Sequence, residues 1–246
     1  MRLPTALVVQ HTPTEPIARL GDWLGAAGLL LDVRTPYDGS VLPETPASYA
    51  ALIVLGGPMS AADDEAAPWL PRTRDLLRAG TSSGVPVLGI CLGAQLLAAA
   101  LGGRVDRGEA GPEVGPGLVA KRDLAADDRL FAPVPFTPDV VHWHWDQIST
   151  LPPGSTLLAA STRYPNQAFR FGERSWGLQF HVETTPEMVR RWAAEDAAAL
   201  AAVGVDVWRL LGRHDLDEVH ADLAEVWQPF AVRFAEVARE VEVATR

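Results

Sequence analysis

Gly89-Ile90-Cys91-Leu92-Gly93 places the sequence's single cysteine between two glycines, just where an apolar run gives way to a helical pattern. This is the cysteine form of a strand–turn–helix elbow that presents a nucleophile. Both glycines have a steric reason, because Cβ atoms flanking the turn would collide with the neighbouring strand and helix. At a helix N-terminus Cys91 would sit where the dipole favours thiolate. The amide of Leu92 would point at the reacting carbon as an oxyanion donor. The bland alternative is a small buried hydrophobe.

A thiolate that attacks an amide needs a base. Of the six histidines, three have a carboxylate two residues on: His144 with Asp146, His181 with Glu183 and His220 with Asp222. Residues i and i+2 share a side only in extended chain. His220 falls in a helical pattern and does not qualify. His144 lies in a Pro-rich middle, while His181 ends the apolar run 175–181, so both stay open with His181 the better placed. Glu183 would orient the His181 ring as the third member of a triad. Gly56-Gly57-Pro58 ends another apolar run, and Gly57 would bring a backbone amide to the substrate carbonyl; a plain turn is the alternative.

The elements that must carry these groups are legible as alternating strands and helices. Strands are expected at 6–9, 29–33, 51–55, 85–90 and 175–181. Helices are expected at 16–27, 69–82, 93–101 and from Pro186 to about Ala202, with Thr184 or Thr185 as N-cap. That alternation predicts an α/β fold with a parallel sheet covered on both faces. Residues 103–180 carry short apolar pieces between many Gly and Pro turns, which predicts smaller, partly antiparallel strands. Residues 204–246 have apolar positions every three or four, so a helical C-terminal extension follows a main domain over 1–203, split or kinked at Pro229.

Three motifs in order, Gly56-Gly57-Pro58, Gly89 to Gln95, and Gly177-Leu178-Gln179-Phe180-His181-Val182-Glu183, resemble the class I (triad) glutamine amidotransferases. The branch is similar to the glutaminase domain of GMP synthase. Trp143-His144-Trp145-Asp146, Leu151-Pro152-Pro153-Gly154 and Pro165-Asn166-Gln167-Ala168-Phe169 extend the resemblance, which covers roughly residues 5–200. It implies a flavodoxin-like open sheet and hydrolysis of the γ-amide of L-glutamine through a Cys91 γ-glutamyl thioester. It selects His181 over His144 as the proton shuttle, with Glu183 as its orienter. Gly57 and Leu92 would form the oxyanion hole. Gly56, Gln95, Trp143 and His144 would line the glutamine pocket. Two positions depart from the family's pattern: Val182 stands where proline is common, and Trp145 where glycine is usual.

Acidic residues number 31 and basic residues 21, a net charge of −10, which disfavours nucleic acid and anionic membranes as partners. One cysteine excludes an intrachain disulfide and suggests a reducing compartment. The N-terminal apolar run is too short for a signal peptide, and no 18-residue apolar stretch occurs, so a cytoplasmic protein is expected. No cofactor is expected. His142-x-His144-x-Asp146 has metal-ligand spacing, but its interleaved tryptophans favour a packed wall, so no metal site is expected. His214 and His220 are expected in solvent. With no synthase or ATP-pyrophosphatase motif in the sequence, the resemblance implies ammonia passed to a separate synthase subunit in trans, or released. Two other readings remain: a γ-glutamyl peptide or γ-glutamyl amine hydrolase with the same triad, and a non-catalytic binding module.

Overall fold

Each short apolar run becomes a strand, buried on both faces as parallel strands under helices must be, except at the sheet edge, where Leu30 and Val33 are exposed. In the computed structural model, which describes residues 3–244 and side chains through residue 240, these are β1 (Thr5–Val9), β2 (Leu30–Arg34), β3 (Ala51–Val54), β4 (Val87–Ile90) and, much later, β12 (Ser175–Leu178). Met1, Arg2 and the last two residues of the expected 204–246 extension lie outside the described residues. The intervening helices are α1 (Ala18–Ala26), α2 (Leu70–Ser83) and α3 (Leu92–Ala100). The five strands pair in parallel in the order β2-β1-β3-β4-β12, the flavodoxin-like order.

The middle segment supplies β5 (Arg104–Arg107), β6 (Glu113–Leu118), β7 (Ala120–Lys121), β8 (Asp139–His144), β9 (Asp146–Thr150), β10 (Thr156–Ala160) and β11 (Ala168–Phe171). Strands β11, β10 and β7 extend the main sheet antiparallel beyond β12. Two antiparallel pairs, β5 with β9 and β6 with β8, stand apart from it. The sheet is thus mostly parallel, open and helix-covered.

Alternation along the strands divides the core into two layers. Ala6, Val8, Ile53, Leu88, Ile90 and Trp176 face one side, where α1 and the C-terminal helices pack. Leu7, Val9, Leu52, Val54 and Val87 face the other, under α2 and α3. The C-terminal helices are α4 (Pro186–Ala202), α5 (Val207–Leu211) and α6 (Leu216–Ala244). Thr185 caps α4, its side chain accepting from Met188 N.

Helix α6 continues through Pro229, so of the expected split or kink the split does not occur. Proline removes one donor, but Pro229 is on the exposed face, where water can satisfy the released carbonyl. Buried Trp227 and Phe230 hold the turn on the opposite face. Trp227 packs against Phe131 at 6.0 Å and Phe180 at 5.3 Å and donates to Asp139 O at 2.9 Å. The apolar stripe from Leu216 to Val237 is therefore covered by the main body. Among the described residues no helix is long and apolar enough to cross a membrane.

Candidate active site

Three loops that leave the carboxyl ends of adjacent strands β3, β4 and β12 meet outside the sheet, where open α/β sheets bind ligands. After β4 the chain turns within one residue. Cys91 takes φ 50°, ψ −109° and is the N-cap of α3. A positive φ in a residue with a Cβ is strained and persists only where the surroundings enforce it. The glycines allow it. A Cβ on Gly89 would lie 2.5 Å from Gly93 O, and one on Gly93 would collide with Val54 O of β3. The amide of Leu92, first in α3, has no intrahelical acceptor.

The second loop is Gly56-Gly57-Pro58. A Cβ on Gly57 would lie 2.7 Å from Met59 Sδ and 2.9 Å from Leu92 Cδ2, so this backbone is packed tight against the elbow. Neither the Gly57 nor the Leu92 amide donates to another backbone group among the described residues. The structure brings the two expected oxyanion donors to neighbouring positions with free N–H groups.

The third loop differs from its expected form. The strand expected over 175–181 stops at Leu178, because β4 beside it ends at Ile90 and the elbow's Cys91 N takes Leu178 O at 2.7 Å. His181 instead makes an isolated antiparallel bridge to Val141. The His181–Glu183 pair forms all the same: His181 Nδ1 lies 2.6 Å from Glu183 Oε1, and both side chains are buried. Glu183 Oε2 accepts from Val182 N at 2.9 Å. The ring of His181 packs on Trp192 at 4.8 Å.

Charge organises the centre. Burial opposes a charged His181, but Glu183 and Cys91 outweigh it and hold the imidazole well above its ordinary range. Burial pushes the Cys91 thiol up, against the pull of His181. The helix-end lowering expected for Cys91 is overridden by desolvation.

Cys91, Gly57, Gln95, Trp143 and His144 line one cavity of about 580 Å³. Gly56 sits behind its wall, between Glu15 and the His181 ring. Gln95 is buried and donates to Gln179 Oε1 and to the Asp146 carbonyl. Trp143 is fixed by Asp196, 2.8 Å from its Nε1, and its carbonyl is 3.7 Å from Cys91 Sγ. His144 faces elsewhere. Its ring lies between the Asp146 carbonyl and Glu113, so only its outer surface meets the cavity. Trp145 also lines the cavity, with the Arg107 guanidinium 4.4 Å over its ring.

One site residue escaped the sequence reading. Glu15, on the loop after β1, sends its carboxylate to the cavity wall beside Gly56, His181 and Cys91. Burial raises it to about 7. Nothing in its local sequence marks it; only the tertiary approach of the β1 loop does. His220, expected in solvent, is buried, with Nε2 3.1 Å from Thr184 Oγ1 and Nδ1 2.6 Å from Leu216 O. Helix α6 lays that face on the α4 cap, and His220 shares the apolar stripe of Leu216, Leu223 and Trp227. His214 is exposed.

Fold and site together define a class I amidotransferase. Residues 24–194 match the family described as "Glutamine amidotransferase class-I", and the chain belongs to that family. It is 35% identical over 214 residues to the glutamine-hydrolysing GMP synthase of Thermus thermophilus, covering 86% of this chain and 39% of that protein. It therefore spans about two fifths of that relative's length. The glutamine amidotransferase-like protein YfeJ of Salmonella typhimurium is 29% identical over 184 residues, 74% of this chain and 76% of that one. A crystallographic glutamine amidotransferase from Thermotoga maritima superposes with a TM-score of 0.84 at 28% identity, covering 96% of this chain and all of that one.

Proposed function

We propose that this chain hydrolyses the γ-amide of L-glutamine through a covalent thioester on Cys91. The observation that carries this reading is the strained Cys91 at φ 50°, facing the same cavity as Gly57, with the buried His181–Glu183 pair close enough to shift its titration. Strain at a nucleophile is retained because the surroundings demand it.

In this mechanism Cys91 Sγ attacks the glutamine Cδ while its proton passes to His181 Nε2. Glu183 holds Nδ1–H and stabilises the imidazolium. The oxyanion is met by the free amides of Gly57 and Leu92. Collapse expels ammonia carrying the proton from His181. Water, activated by the same imidazole, then cleaves the thioester to glutamate. The Cys91–His181 pair titrates as a unit, so its apparent constants belong to both groups. Gln95 and Trp143 position the amino-acid end of the substrate.

Ammonia passes in this reading to an acceptor held by another protein, as the GMP synthase relationship suggests, and residues 204–246 act as an appendage bracing the 1–203 domain. The test is steady-state turnover of L-glutamine against γ-glutamyl peptides and γ-glutamyl amines by the purified chain, alone and with candidate acceptors. Preferred release of ammonia from glutamine supports the proposal. Higher kcat/KM on γ-glutamyl amines would replace it with a γ-glutamyl hydrolase. Absence of turnover on every substrate, with no covalent capture of Cys91, would favour a binding module.

A further inference from the structure

Strands β6 and β8 pair so that Glu113 stands opposite His144 and Gly115 opposite His142. Side chains two apart on a strand share a face, so Glu113, His142 and His144 project together. All three are nearly enclosed, with side-chain exposures of 10%, 7% and 1%. Their ligand-type atoms lie within 4.8 Å of one another. The sequence spacing nominates Asp146 as a third ligand, but its carboxylate turns out to Arg107. The third group comes from β6.

The hydrogen bonding of this cluster does not close on its own. His144 Nδ1 lies 2.9 Å from the Asp146 carbonyl, which can only accept, so the proton sits on Nδ1. That leaves the bare lone pair of Nε2 aimed at Glu113 Oε2 from 3.1 Å. Two acceptors at that distance repel unless a positive charge lies between them. His142 Nδ1 faces the same oxygen at 3.7 Å and has no hydrogen-bond partner. A proton shared by His144 and Glu113 would satisfy the first contact and leave His142 orphaned. One cation satisfies both.

We propose that Glu113, His142 and His144 bind one divalent transition-metal ion, with zinc the best match to their two-imidazole, one-carboxylate donor set. Zinc–ligand bonds of about 2.1 Å in a tetrahedron separate donor atoms by about 3.4 Å, and the observed 3.1 and 3.7 Å straddle that value. The surroundings also suit an ion. The His144 Nδ1–H is held by a backbone carbonyl, the usual outer support of a ligating histidine. Ser161 Oγ donates to Glu113 Oε1 at 2.7 Å and Gln167 Nε2 to Oε2 at 2.6 Å, fixing the carboxylate. The ion would fasten β6 to β8. Because the Asp146 carbonyl also accepts from Gln95, it would stiffen the cavity wall. It takes no part in the amide chemistry.

The test uses the full chain without a polyhistidine tag, stripped with a chelator and then titrated with zinc alone. After gel filtration, elemental analysis should find about one zinc per chain, and Tm should rise with zinc concentration. The Cys91→Ala variant should retain the ion. His142→Ala, which removes a ring whose Nδ1 has no hydrogen-bond partner, should fold, lose the ion and lose the zinc-dependent rise in Tm. In the unmodified protein, bound cobalt(II) should show visible ligand-field bands without a thiolate charge-transfer band. Failure to retain zinc would overturn the proposal. So would loss of the ion in Cys91→Ala, or a thiolate band with cobalt, since either places the metal on Cys91.

Discussion

His181 Nδ1 and Glu183 Oε1 stand 2.6 Å apart, both side chains almost fully buried. In the proposed mechanism the carboxylate fixes the tautomer that leaves Nε2 for the thiol, and Glu183 raises the basicity of the ring. His181→Ala is expected to lower kcat/KM by about 10²–10⁴-fold, the span of a lost general acid–base. Glu183→Gln should lose less, and its acid-side pH–rate limb should move to lower pH as the imidazolium loses its counter-charge. Steady-state pH profiles of both variants check this; an unmoved limb in Glu183→Gln contradicts the positioning role.

The elbow makes a steric prediction. Gly93→Ala places a methyl into Val54 O, and Gly89→Ala places one against the Gly93 backbone. Backbone on both sides cannot yield as a flexible side chain would, so each variant should lose about 1–3 kcal/mol or more. Gly84→Ala offers a control, because nothing lies near its Cβ and only its positive φ is strained. Urea unfolding of the three variants should rank the elbow substitutions as the more damaging.

Two of the buried shifted groups, His11 and Glu15, contribute to the pH dependence of stability with opposite signs. Burial lowers His11 from 6.5 to about 4, so its contribution is present above pH 6.5 and is lost as pH falls toward 4. Burial raises Glu15 from 4.5 to about 7, so its contribution is full below pH 4.5 and is lost as pH rises through 7. Each is worth at most on the order of 3 kcal/mol, less for Glu15 where water reaches the cavity. Glu15→Gln should flatten the decline between pH 5 and 8 and leave the acid limb in place. Denaturation at a series of pH values measures both slopes.

Helix α6 should behave as part of the core. Trp227→Ala removes a fully buried indole that touches Phe131, Phe180 and Phe230, which should cost about 3–5 kcal/mol. Truncation after Gly204 should lower Tm or drive association through the uncovered face. A truncated chain with unchanged Tm and unchanged oligomeric state would contradict this.

What the sequence revealed and what it hid divide along one physical line. Apolar runs and the glycines around Cys91 announced the strands and the elbow, because burial on both faces and a forbidden Cβ act within a few residues. The pairing of His181 with Glu183 was legible as an i, i+2 spacing, although the strand expected to enforce it ended at Leu178. Glu15 and Glu113 were not legible, since each depends on a distant segment arriving beside it, whereas the burial of His220 was written in its spacing from Leu216 and Leu223 and was overlooked. Pro229 does not split the helix, because packing on the far side outweighs the local rule.

In the proposed mechanism Cys91 carries the γ-glutamyl group, and as the sole thiol of the sequence it can be tested directly. The chain is treated with a glutamine-shaped chloroketone or diazoketone, and the adduct is mapped by mass spectrometry while glutamine hydrolysis is followed. One adduct is expected on Cys91, formed in step with loss of activity and slowed by glutamine, with no turnover in a folded Cys91→Ala variant. Near wild-type turnover by Cys91→Ala, or full activity after complete labelling of Cys91, would contradict it.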